Sequence, residues 1–191
     1  MLLDRIQAHL EAIYGVRCEL KASDHLVDAA GARALGGHGD REELFVREAG
    51  DALELALYVR ADADGFAGFC EATEGVSHFM YLVRAAELDR QVSLLELEAQ
   101  AEVDKFASCA LLGWRHGDVR SLYERLFDRV QFRDDLAPDA RWRYEQANRL
   151  AKGYCRRLLE LVVERRLEPL LAELRETYRM GSEAKLLRLG A

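Results

Sequence analysis

The chain has 191 residues, 50% of them hydrophobic and 32% charged, and a net charge of −7. That composition suits a globular domain with a sizeable core and excludes a disordered segment, while the negative balance argues against a protein that coats nucleic acid or an anionic membrane. No apolar run approaches the roughly 18 to 20 residues of a membrane span, and Met1 to Gly15 is amphipathic with an acid at Asp4, unlike a secretory signal.

In chain order, the first element is a helix from about Leu3 to Tyr14, with Leu2, Ile6, Leu10 and Ile13 on one face and Gly15 placed to stop it. Two strands are expected next, over 16–22 and 24–29. The run from Ala30 to Glu42 holds four glycines but lacks the Gly-Lys-Ser/Thr ending of a phosphate loop, so a surface loop is expected. Residues 43–59 read as a hairpin. With Gly50 and Asp51 at the turn, Val46 faces Leu55, Leu44 faces Leu57, and Arg47 opposes Glu54 on the other face.

From about Asp64 the pattern is helical to the end. Gly75 marks a kink or restart in the first of these helices. Ser93 with Glu96 three residues on forms a capping box, and the helix it opens runs to Gly113. Apolar residues nearly encircle that helix, as on a central one. Trp114 to Gly117 read as a turn, and Asp118 caps a short helix. Pro138 opens a long helix with Tyr144, Ala147, Ala151, Tyr154, Leu158 and Val162 inward, and Pro169 begins another. No repeat or low-complexity linker divides the chain. The expected fold is therefore a single α+β domain over residues 1–191: an N-terminal helix and small antiparallel sheet in 1–62, covered by a predominantly helical 63–191.

The chemistry-bearing pattern is a pair of helical stripes. Glu71, Glu74 and His78 stand at spacings of three and four, and Glu98, Glu102, Lys105 and Cys109 at four, three and four. If the two helices are antiparallel neighbours, Glu71, Glu74, His78, Glu98 and Glu102 make a cluster that suits a divalent metal ion or acid/base work of a hydrolase type. The same residues also fit a saturated network, in which Lys105 and the arginines of 141–149 pair the acids. The motifs HExxH, HxxEH and a paired ExxH are all absent.

The remaining polar residues point to no reaction. His9, His25, His38 and His116 lie in separate segments with no mutual spacing, and Cys18, Cys70, Cys109 and Cys155 form no CxxC pair. Their wide separation reads as reduced thiols in a cytoplasmic protein. Arg141, Arg143, Arg149, Lys152, Arg156 and Arg157, with Trp142 and Tyr144, resemble a phosphate grip, but Glu160, Glu164 and Glu168 return the helix to mixed charge. From Asp139 onward the balance is +4 and before it −11. The expected role is a non-enzymatic protein-binding or adaptor domain. Its partner, another protein or a second copy, would meet the sheet edge or the C-terminal helices, where Leu170, Leu171, Leu174 and Tyr178 supply apolar surface.

Overall fold

A computed structural model describes residues 1–50, 52–60, 64–113 and 117–191. The fold is α+β, with a small two-stranded antiparallel sheet and a predominantly helical remainder. Its contacts group into two compact units: Met1–Ala12 with Val16–Gln91, and Ile13–Gly15 with Val92–Ala191. Among the described residues no helix is long and apolar enough to cross a membrane.

The first unit opens with α1 (Leu2–Tyr14), whose Leu3, Ile6 and Leu10 are buried. The two strands expected over 16–22 and 24–29 do not form. Side chains of α1 take the backbone groups that a neighbouring strand would have bonded. The Gln7 amide donates to the Leu20 carbonyl at 2.8 Å and accepts from the Ala22 N–H at 2.9 Å, while Glu11 accepts from the Cys18 N–H at 3.0 Å. The segment then turns through a single 3-10 turn, Ala22–His25. Only Leu26 remains strand-like, in an isolated parallel bridge to Leu57, where the Val27 N–H donates to the Leu57 carbonyl at 2.9 Å.

The glycine-rich stretch is partly ordered as α2 (Ala29–Ala34), which Asp28 caps by accepting from the Gly31 N–H. After it, Glu43 accepts from the N–H groups of His38 and Gly39 at 2.7 and 2.8 Å. The hairpin of β1 (Glu43–Ala49) and β2 (Ala52–Tyr58) has the register its pattern implies: Leu44 opposite Leu57, Val46 opposite Leu55, Arg47 opposite Glu54. Gly50 takes φ +63°, the left-handed conformation a tight hairpin turn demands; its neighbour Asp51 lies outside the described residues.

Helix α3 (Gly65–Glu87) contacts both strands. It does not restart at Gly75, where the helix runs on unbroken. That glycine serves close approach instead, since a Cβ there would sit 2.9 Å from Glu42 Cγ and 3.0 Å from Leu57 Cδ1. Ala72, Val76, Phe79, Met80 and Val83 form the buried face, with the His25 ring 5.1 Å from that of Phe79.

The second unit is helical. Ser93 caps α4 (Leu94–Leu112) through the Glu96 N–H at 3.1 Å. Asp118 caps α5 (Val119–Tyr123), which runs on into a π turn at Glu124–Asp128. Pro138 stands at the start of α6 (Pro138–Val163). Arg165 at φ +57° turns the chain into α7 (Leu167–Arg179), and α8 (Ser182–Gly190) closes the unit. Helices α4 and α6 form its spine, with α5, α7 and α8 against them. Val103, Phe106, Ala110, Ala151, Tyr154 and Leu158 fill the core, and the rings of Phe106, Tyr123 and Phe127 pack edge-on or tilted, with centroids 5.1 to 6.3 Å apart. The expected turn residues Trp114 and Arg115, and His116, lie outside the described residues.

Candidate functional site

The four acids and the imidazole of the sequence pattern fall in different units. In the first, Glu71 accepts three hydrogen bonds from the Arg60 guanidinium at 2.8 to 3.2 Å. His78, one turn beyond Glu74 on α3, is buried with its Nδ1 3.4 Å from Glu42 Oε1. In the second, Glu98 lies 3.7 Å from Arg143 Nε, and Glu102 accepts from Lys105 Nζ at 2.6 Å. Within the units, then, Glu71, Glu98 and Glu102 each have a cationic partner, two of them the partners the sequence nominates. Glu42 carries no periodic signal; it stands just ahead of β1 and meets α3 only through the fold.

The basic series of α6 is likewise engaged. Arg141 pairs with Glu145 at 3.1 Å, Lys152 with Asp128 at 2.6 Å, and Arg157 donates to the Arg188 carbonyl at 2.6 Å. These contacts leave no continuous cationic stripe for phosphates.

The strongest polar feature of the second unit was visible in the spacing but not picked out by it. Glu96, Gln100, Asp104 and Ser108 follow one another at intervals of four along α4, and all four are buried. An i, i+4 row is one ridge of a helix, and this ridge is polar from end to end. Partners from remote segments close on it. The Tyr14 hydroxyl donates to Asp104. Gln100 Nε2 donates to Asp104 Oδ1 at 2.7 Å and to the Tyr14 hydroxyl at 3.1 Å. Lys185 Nζ donates to Gln100 Oε1 at 2.6 Å and lies 5.2 Å from the Tyr178 ring, which stacks on Tyr14 at 4.0 Å. The Glu96 carboxylate accepts from the Ser182 N–H at 3.0 Å and so caps α8, where a negative charge meets the positive end of a helix.

Electrostatics follow from this burial. The Tyr14 hydroxyl titrates well above its ordinary range, first because it is buried and second because Asp104 stands beside it. Burial also pushes up Tyr154, which donates to Thr177 Oγ1 at 3.0 Å, and the Cys155 thiol. All three groups are held in their protonated forms, the opposite of what an activated nucleophile requires.

The seam fastens α8, and α8 carries an inversion. Lys185 is completely buried, whereas Leu187, two residues on, is 68% exposed. Leu187 stands beside a shallow groove of about 460 Å³ lined by Leu150, Glu183, Leu186, Leu187, Gly190 and Ala191. The apolar residues of α7 are not available in the same way. Leu170, Leu174 and Tyr178 are core residues of the unit, so the apolar surface at the groove is carried by α6 and α8 and not by these three residues of α7.

No protein-family model, curated protein or solved structure matches the chain.

Proposed function

We propose that the protein is a non-catalytic, cytoplasmic protein-binding module whose contact face is the groove between α6 and α8, and that a second copy of the chain is the partner seated there. The observation that carries this reading is the inversion on α8, which hides a lysine and turns a leucine outward beside an apolar groove. A face that holds both a knob, Leu187, and the hollow beside it is self-complementary across a two-fold axis, as an isologous interface requires. The upward-shifted Tyr14, Tyr154 and Cys155 favour a packed polar seam over a reacting centre. A reducing compartment fits the four free thiols.

Sedimentation of the full chain across a hundredfold range of concentration tests the reading. The expected result is a monomer–dimer equilibrium that Leu187→Glu shifts to monomer, with a urea midpoint equal to that of the wild type at dilutions where the wild type is monomeric, because the side chain is exposed in the single chain. A wild-type chain that stays monomeric throughout, or a dimer indifferent to Leu187→Glu, overturns it.

A further inference from the structure

The groove by itself is small. Six residues line it, against the 20 to 30 residues a side of a stable protein interface, so rigid docking of two grooves leaves most of a dimer interface unaccounted for. The larger complementary surface is the seat of α8 itself. There Glu96 caps Ser182, Gln100 receives Lys185, Leu189 is buried, and Arg188 forms a two-bond pair with Glu173 at 3.1 and 2.7 Å. This is a recognition site for one specific helix, written in hydrogen bonds, an ion pair and one buried leucine at four positions along the nine-residue α8.

The connection that delivers α8 to its seat is only Met180 and Gly181, between the end of α7 at Arg179 and the start of α8 at Ser182. Ser182 is held at φ +47°, a sparsely populated conformation for a residue with a Cβ. Short connections under strain favour exchange of the element they carry, because the same contacts form between chains while the connection extends. Resting on the self-association proposed above, we infer that the dimer forms by exchange of α8: Ser182–Gly190 of each copy leaves its own chain and occupies the α8 seat of the other. The exchange keeps the contacts of Lys185, Arg188 and Ser182 described above, lets the connection at Ser182 extend, and sets Leu187 of one copy beside Leu150 of the other.

The Arg188–Glu173 pair provides the test, because both side chains are partly exposed and charge reversal there leaves the core intact. A Glu173→Arg chain and an Arg188→Glu chain each oppose like charges within themselves and in their own dimers. Mixed, they restore both pairs only if α8 crosses between chains. The expected result, read by native mass spectrometry of one isotope-labelled and one unlabelled chain, is a heterodimer favoured roughly tenfold over either homodimer. Inserting Gly-Ser-Gly-Ser between Met180 and Gly181 in the wild-type chain should release the constraint and give monomer. If the wild type dimerises but mixing yields only the statistical proportion of heterodimer, exchange is overturned while the α6–α8 contact face stands. A wild type that never dimerises removes both.

Discussion

The two units solve the same problem, what to do with polar groups among apolar ones, at different depths. In the first unit most polar contacts span short sequence distances: the buried Gln7 and the half-buried Glu11 bond the backbone just after their own helix, and closer to water Arg47 pairs with Glu54 across the hairpin and Arg60 with the next helix at Glu71. In the second, a buried ridge of α4 binds groups 85 to 90 residues away. Contacts of the first kind adjust local backbone geometry at little cost, since each exposed member keeps its hydration. Contacts of the second kind commit charge to a dry interior, where each is worth much when complete and costs much when broken.

The largest expected effect therefore lies in the seam. Asp104→Ala leaves the Tyr14 hydroxyl and a Gln100 N–H buried without their acceptor, and two such losses cost about 2–5 kcal/mol. Urea unfolding followed by tryptophan fluorescence measures it. Lys185→Met should lose less, about 1–2 kcal/mol, because it removes a buried charge and fills similar volume, while leaving Gln100 Oε1 short of a donor and the Tyr178 ring without its cation. Equal losses for the two variants would mean that the seam does not act as the carboxylate-centred network its geometry describes.

Second in size is a dependence on alkali. Tyr14 and Tyr154 have folded-state pKa values raised above the ordinary 10.0 of the unfolded chain, in both cases chiefly by burial. A raised folded-state value means that the unfolded chain releases the proton first. Their contribution is thus complete below about pH 10 and is lost as pH rises beyond it, at about 1.4 kcal/mol per pH unit for each group. Stability measured from pH 8 to 11.5 should be level to about pH 9, fall gently as the unfolded Cys155 thiol ionises first, and fall more steeply beyond about pH 10, where Tyr14→Phe should make the slope shallower. A fall that begins near neutral pH would place the sensitive groups elsewhere.

These two regions also differ in how far the sequence discloses them. The hairpin register was readable because alternation, the Gly50 turn and the Arg47–Glu54 pairing all operate within a dozen residues. The caps at Ser93 and Asp118 and the start at Pro138 were readable for the same reason. The strands expected over 16–22 and 24–29 failed because β-like composition does not say where the backbone bonds go, and α1 side chains claimed those of the first. The ridge Glu96, Gln100, Asp104, Ser108 shows its spacing in the sequence, but spacing does not reveal burial. Its partners Tyr14 and Lys185 lie near opposite ends of the chain, where no local pattern links them to α4. Position misled in the same way at α7: its apolar face, expected as a partner surface, is consumed by the unit's own core.

A smaller effect tests the shallow side of the comparison. Gln7→Ala removes one acceptor and one donor from the turn at Leu20 and Ala22, with an expected loss of about 1–2 kcal/mol. Arg47→Ala at the exposed hairpin pair should change stability by no more than about 0.5 kcal/mol. Amide exchange should locate the Gln7 effect at residues 18–23, with α4 and α6 unchanged.

The smallest expected effect is on metal removal. A divalent ion held by Glu71, Glu74, His78, Glu98 and Glu102 would stabilise the native state in proportion to its occupancy, so a chelator would lower the melting midpoint. Against that stands the pairing of three of these acids: Glu71 with Arg60, Glu98 with Arg143 and Glu102 with Lys105. A carboxylate already neutralised by a guanidinium or ammonium must give up that partner to bind a cation, and a cation introduced beside Arg143 and Lys105 also meets their positive charge. The expectation is a melting midpoint unchanged by EDTA and less than a tenth of an equivalent of zinc, manganese or iron in untagged protein. Stoichiometric metal with a midpoint that falls on chelation would reverse the assignment, and Glu98→Gln would then be expected to release the ion, where in a purely structural pair it would only loosen Arg143.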